Sequence, residues 1–322
     1  MSQLATIYGG SGFVGRYIAR RLAKQGWRVR VAVRRPNEAM FVKPYGVVGQ
    51  VEPVFCNIRD DASVAAVAEG ADAVVNCVGT FDARGANNFA AVQAEGAERI
   101  ARVASQMGIK RMVHISAIGA DAKGLSTYAQ TKAAGEEGVL RHIPDAMILR
   151  PSVIFGPEDQ FFNRFAGMAP VVPVVGGATR FQPVYVDDVA QAAELGVTQG
   201  IGGIYELGGP DVASFRELMH EMLQVIQRSR LVLSLPIWAG GLMALGADVA
   251  NRVTFGLAPM PITPDQVKSL GTDNIVSEGA KTLADLGITP TSMEAVMPEY
   301  LWRFRPSGQY AAIKASAKNL KS

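Results

Sequence analysis

Cysteine is nearly absent: the 322 residues hold two, Cys56 and Cys77, each inside an apolar, strand-like run. A disulfide framework is thereby excluded, and a reducing compartment fits. Histidine is as sparse, and His114, His142 and His220 lack any metal-ligand spacing, so no metal site is expected. Net charge is only +3, with 19% of residues charged. No aromatic–basic interleaving suggests base stacking, so nucleic acid is not an expected partner. The N-terminus lacks the basic region and long apolar stretch of a signal peptide, which predicts a fold that starts at once in the cytoplasm. Internal repeats at periods of roughly 20 to 50 residues are missing too. What is abundant is hydrophobic residues, 48% of the chain, enough for one large or two smaller domains.

Glycine is placed rather than scattered. The run Gly9-Gly10-Ser11-Gly12-Phe13-Val14-Gly15 follows the apolar stretch Leu4–Tyr8 and precedes an amphipathic, helix-like one. Strand, glycine turn and helix in that order form a phosphate cradle. Free backbone N–H groups and the positive dipole end point at the anion, and the backbone comes close only where side chains are absent. Gly9 is expected to make the turn, Gly12 to admit the phosphates and Gly15 to let the helix lie against the strand. With Ser11, Phe13 and Val14 they form the expected dinucleotide-binding loop.

The alternating run Arg28–Val33 reads as the second strand and ends in Arg34-Arg35. An acidic residue near this point would bond the ribose 2′-hydroxyl of NAD, whereas arginine bonds a 2′-phosphate. NADP(H) is therefore the favoured cofactor. Further strand-like segments at 52–56, 73–79, 111–116 and 146–150 alternate with helical ones at 63–69 and 91–107. Such alternation predicts an α/β fold, a Rossmann-type doubly wound parallel sheet, with the ligand along the strands' C-terminal ends. Cys77, Val78, Gly79, Ser116, Pro151, Ser152 and Ile154 then lie on the cofactor side, and Asn57 follows the third strand within reach of the adenine. Asn57 and Asp60 also suit simple loop capping. Later segments near 181–190 and 204–209 suggest strands returning to the main sheet. The expected division is 1–210 for the dinucleotide domain and 211–322 for a smaller subdomain.

Tyr128 and Lys132 stand four apart on a helical stretch and share one face, and Ser116 closes the preceding strand. In such a set the lysine lowers the tyrosine pKa, making the phenol a usable proton donor or acceptor, while the serine holds a substrate oxygen. With the glycine cradle upstream, this constellation resembles the short-chain dehydrogenase/reductase superfamily. The motifs at 149–157 (LRPSVIFGP) and 183–189 (PVYVDDV) point to its extended and atypical branch. More narrowly, 9–17 (GGSGFVGRY), 155–165 (FGPEDQFFNRF), 182–189 and the apolar region after Ile226 resemble the family of NADPH-binding accessory subunits of respiratory complex I, the NADH:ubiquinone oxidoreductase. The resemblance implies a nucleotide held as a structural element without turnover, with Ser116, Tyr128 and Lys132 serving catalysis or binding only. Gln93 departs from the asparagine of many extended reductases, which implies a difference in local helix geometry or active-site water.

From 231 to 263 the only charges are Asp248 and Arg252. Pro236 interrupts this stretch, which falls short of the roughly 20 unbroken apolar residues of a spanning helix. Trp238, Leu242, Leu245, Val249 and Val253 recur at helical spacing and suit the core, a membrane interface or another subunit. The tail beyond Glu299 carries Arg303, Arg305, Lys314, Lys318 and Lys321 without an acid, beside Tyr300, Trp302, Phe304 and Tyr310. Such a tail suits an anionic membrane surface, an acidic groove on a partner, or plain solvent. Together these features predict a non-catalytic NADPH-binding subunit docked on other complex I subunits, peripheral on the cytoplasmic side of a bacterial inner membrane. The alternative is a free-standing NADPH-dependent reductase or epimerase with an apolar substrate.

Overall fold

The computed structural model describes residues 2–80, 85–168, 170–253 and 263–310. The chain forms two compact units that interleave in sequence. The first takes Met1–Ser152, Val186–Gly208 and Val276–Pro290, and the second takes Val153–Tyr185, Gly209–Ile275 and Thr291–Ser322.

The first unit is built on seven parallel strands: β1 (Leu4–Tyr8), β2 (Arg28–Val33), β3 (Val51–Phe55), β4 (Ala73–Asn76), β5 (Arg111–Ile115), β6 (Met147–Pro151) and β7 (Gly203–Leu207). Their order is β7-β6-β5-β4-β1-β2-β3. Ala5, Ile7, Val74, Val75, Val113 and Leu149 are wholly buried, as expected where helices cover both faces and a strand has no solvent side to spend on polar residues. The strand order reverses between β1 and β4, and a crevice opens there beyond the strand ends. Two backbone bonds carry the ladder into it: Gly9 N–H donates to Ala32 O and Cys77 N–H to Tyr8 O, both at 2.9 Å.

Five helices wrap this sheet: α1 (Phe13–Lys24), α2 (Asp61–Ala68), α3 (Glu95–Gln106), α4 (Thr127–His142) and α5 (Val186–Gln199). Asp60 caps α2 by accepting from Ala62 N–H, and Ser126 caps α4 by accepting from Ala129 N–H. Caps of this kind satisfy N–H groups that the helix itself leaves unpaired. On α1, Arg21 pairs with Asp187 at 2.8 Å and with Glu194 at 3.0 Å, which ties the helix to α5. Residues 276–290 return to this unit: Ser277 N–H donates to the Glu206 carboxylate, and Glu206 N–H donates to Lys281 O.

In the second unit, Phe155, Phe162, Phe181, Phe215, Met219, Met222 and Met297 form the core. A capping box, Ser214 with Glu217, starts the helix Phe215–Val225. The 155–165 motif is explained by Asp159. Its buried carboxylate accepts from Tyr300 Oη–H at 2.7 Å, Asn163 N–H at 3.1 Å and Gly156 N–H at 3.3 Å. The segment near 181–190 does not return to the main sheet. Arg180–Phe181 pairs with Ala213–Ser214 and Val184–Tyr185 with Ile154–Phe155, because Pro183 lacks the N–H a continuous strand needs. The parallel pair Val171–Val175 and Leu231–Leu235 leads into the helix Ile237–Val253. Among the described residues no helix is long and apolar enough to cross a membrane.

Candidate functional site

The glycine loop fills the crevice between β1 and β4. Gly9 adopts φ +74°, a left-handed conformation that costs a residue with a Cβ, and Gly12 N–H donates to its carbonyl at 2.9 Å. At Gly15 a Cβ would lie 2.6 Å from Gly9 O and 2.7 Å from Gly10 Cα. The third glycine therefore lets the helix sit on the loop itself, where the sequence suggested contact with the strand. Gly12 is different. It is exposed, it precedes the first residue of α1, and a Cβ there would meet only Gly9 O, at 3.1 Å. The open space above this residue, at a helix N-terminus with Ser11, Phe13 and Val14 half-buried around it, fits a pyrophosphate.

The loop after β4 closes one side. A Cβ on Gly9 would lie 3.2 Å from the Cys77 carbonyl carbon and from Val78 N. Val78 N–H donates to Asn76 Oδ1 at 3.0 Å, and Asn76 Nδ2 meets His114 Nδ1 at 3.1 Å. Asn76 and His114 are cross-strand partners in the register of β4 and β5, both about 1% exposed. Asn76 was not singled out in the sequence and His114 was weighed only as a metal ligand, although a polar residue near the end of each of two adjacent apolar strands was a readable signal. Burial pushes the Cys77 thiol up to about 12, so it is no nucleophile at neutral pH. Gln93, 2% exposed, lies in a π-helical turn (Ala90–Ala94). It donates to Thr80 O at 2.7 Å and accepts from Thr131 on α4 at 3.0 Å, tying Thr80 to α4.

At the other side, Arg34 and Arg35 are exposed beyond β2. Arg35 pairs with Glu38 at 3.0 Å, whereas Arg34 has no polar partner among the described residues. Arg16 bonds the loop itself, through Gly12 O at 3.3 Å and Ser11 O at 3.1 Å. Asn57 Oδ1 accepts from Arg59 N–H, so its oxygen, like that of Asp60, is used in local capping.

Beyond β5 the structure brings Tyr128 and Lys132 together but turns Ser116 elsewhere. Lys132 Nζ lies 5.9 Å from the Tyr128 ring centre and donates to Ile115 O at 3.0 Å. The Ser116 hydroxyl donates to buried Glu136, which Arg150 grips at 2.6 and 3.0 Å. Arg150 also faces Glu206 at 3.5 Å. Burial raises the Tyr128 phenol to about 12 and lowers Lys132 to about 8, the latter against the attraction of Glu136. The tyrosine is thus shifted opposite to the direction expected from a lysine neighbour, because desolvation by burial governs it. Pro151 O accepts from Ile118 N–H and Ser152 N–H donates to Leu207 O, so both line the ends of β6 and β7. Ile154 belongs to the second unit.

Residues 5–208 match the model of the NAD dependent epimerase/dehydratase family. The chain belongs to this family. It is 35% identical to the NADH dehydrogenase [ubiquinone] 1 alpha subcomplex subunit 9, mitochondrial, of Arabidopsis thaliana, over 98% of this chain and 81% of that protein. The resemblance to the complex I accessory-subunit family therefore holds nearly end to end. A ceramide reductase of Caulobacter vibrioides is 31% identical over 79% of this chain and 82% of its own. Among solved structures, an NADPH-dependent quinone oxidoreductase of Escherichia coli complexed with NADPH superposes with a TM-score of 0.69 at 17% identity, over 92% of this chain and 98% of that one. This likeness concerns the fold. The mitochondrial label of the Arabidopsis relative overturns the expectation of a bacterial inner membrane.

Proposed function

We propose that the chain is a subunit of a respiratory NADH:ubiquinone oxidoreductase that holds NADPH without turning it over. The fit of Gly9, Gly12 and Gly15 to a pyrophosphate supports the cofactor, and Arg34 and Arg35 favour its 2′-phosphorylated form. One observation carries the holding role: the Ser116 hydroxyl is committed to Glu136, itself held by Arg150, so it is not presented beside Tyr128 to grip a substrate oxygen. The high Tyr128 pKa adds to this, since a proton donor or acceptor works best near the ambient pH. Bound nucleotide stabilises the folded unit by about 2.7 kcal/mol when its concentration is a hundredfold above its Kd.

Docking on other subunits is supported by the second unit. In the strand Leu231–Leu235 and the helix Ile237–Val253, Leu231, Leu233, Trp238, Leu242 and Leu245 are exposed, Trp238 at 71% and Leu242 at 63%. Trp238, Leu242 and Leu245 share one helix face, and exposed apolar side chains gathered in this way mark an interaction surface more than a solvated one. Val249 and Val253 lack described side chains, and Lys314, Lys318 and Lys321 lie outside the described residues. Native mass spectrometry of the complex from its own membranes tests the proposal: one copy of the chain with one NADPH retained is expected. Trp238→Ser with Leu242→Ser should release the chain from the complex yet leave its nucleotide bound. Recovery of the chain alone, or of a complex that contains it without nucleotide, contradicts the proposal.

The second reading is a free-standing NADPH-dependent reductase. The one-turn spacing of Tyr128 and Lys132 favours it, as does similarity to a ceramide reductase. On this reading Tyr128→Phe abolishes NADPH oxidation.

A further inference from the structure

We infer that the turn at 47–50, which leads into β3, is a docking knob whose Val47 and Val48 seat in an apolar pocket with an acidic rim on a neighbouring subunit. This adds a contact from the first unit to the docking already argued for the second. The inference rests on the reading of the chain as one subunit of a larger assembly.

Turn tips are ordinarily left to glycine, proline, asparagine, aspartate and serine, which suit both the tight backbone and the solvent. Here two valines take the place: Val47 is 74% exposed and Val48 fully so. The turn is nevertheless built to stand still. Gln50 N–H donates to Val47 O at 3.0 Å, and Val47 N–H donates to Gln50 Oε1 at 2.9 Å. Gln50 Nε2 donates in turn to Ala23 O at 2.6 Å and to Trp27 O at 2.9 Å, which fastens the tip to the end of α1 and the start of β2. A Cβ on Gly46 would collide with that same carboxamide, and Gly49 takes φ +79°, so both glycines serve the turn. Two β-branched side chains, stiff at χ1, are thus held outwards on a braced backbone and lose little freedom on docking.

The charges around the tip select the partner. Lys24 and Arg28, each next in sequence to a carbonyl that Gln50 holds, are exposed, as is Lys43 on the segment that leads into the turn. None of the three forms an ion pair among the described residues, and Glu52 is the exposed acid nearest in sequence. Three cations against one acid suit a partner of opposite sign, which steers the encounter and fixes its register. An anionic lipid surface shares that sign, but interfacial anchors are chiefly Trp, Phe and Leu. The turn carries none of these, and Trp27 beside it is buried, so a protein pocket of valine size fits better. The turn stands at the start of β3, at the opposite end of the strands from the glycine loop, and a partner seated there leaves the cradle open.

Photo-crosslinking tests this, with a small aliphatic diazirine residue in place of Val48 in the full chain, inside the complex isolated from its own membranes. A product joined to a different subunit is expected, at a segment that carries Asp or Glu beside apolar residues. Lys24→Glu with Arg28→Glu should lower the yield of that product about tenfold or more. Val47→Ser should lower it about tenfold as well, the size of losing one well-packed anchor. Both variants should melt within about 2 °C of the wild type, because the side chains they change are exposed, which separates lost docking from lost folding. No product although the chain is present in the complex, a product with lipid or with a second copy of the chain, or a yield indifferent to the charge reversal would overturn the inference. Recovery of the chain apart from all other subunits would instead overturn the reading on which it rests.

Discussion

His114 illustrates what a single residue contributes at the site. Its Nδ1 accepts from Asn76, which leaves the ring proton on Nε2, and that atom has no hydrogen-bond partner among the described residues. Burial first, and the Lys132 ammonium second, pull its pKa from 6.5 to about 3. The folded protein therefore keeps the ring neutral down to about pH 3, while the unfolded chain takes up a proton near 6.5. Stability from this group is complete above pH 6.5 and is lost as pH falls, at about 1.4 kcal/mol per unit, so about 2 kcal/mol is gone by pH 5. His114→Gln keeps an acceptor for Asn76 and removes the titration. Thermal unfolding at pH 7 and pH 5 should show a smaller acid loss in this variant than in the wild type; identical losses would rule out His114 as the source. The sequence made Tyr128 and Lys132 legible by their spacing alone. It could not show the shift of their pKa values, nor that Ser116 is engaged by Glu136, because both depend on what burial brings near.

At the scale of elements, the cradle works through two glycines with different duties. Gly15→Ala would drive a Cβ into backbone atoms of Gly9 and Gly10 that cannot move aside, so a loss of about 1–3 kcal/mol of stability is expected together with nucleotide binding. Gly12→Ala meets one carbonyl oxygen at 3.1 Å and otherwise open space. It should cost about 0.5 kcal/mol or less, yet still weaken nucleotide binding by filling the phosphate position. Melting curves with and without NADPH separate the two; a Gly12→Ala protein that binds like wild type would remove the pyrophosphate from this place. The strands of the first sheet were readable because both faces are buried and their apolar runs are nearly continuous. The return of residues 276–290 to that unit was not, since it depends on Glu206 meeting Ser277 and Lys281 across long sequence separation. Likewise the run near Pro183 read as a strand, but the missing N–H confines it to a short pairing in the second unit.

Across the whole molecule, one unit provides the glycine loop and the other exposed apolar side chains on one helix, the two features from which the proposed role is argued. Trp238, Leu242 and Leu245 could be placed on one helix face by spacing, but only their exposure distinguishes a docking row from a core one. The central claim, a nucleotide kept and not consumed, is tested most directly by loading the chain with NADPH, incubating it with carbonyl lipids of the ceramide type, and then denaturing it to measure the nucleotide released. The account predicts about one NADPH per chain, still reduced, for both the wild type and Tyr128→Phe. Oxidation to NADP by the wild type that Tyr128→Phe abolishes would contradict it.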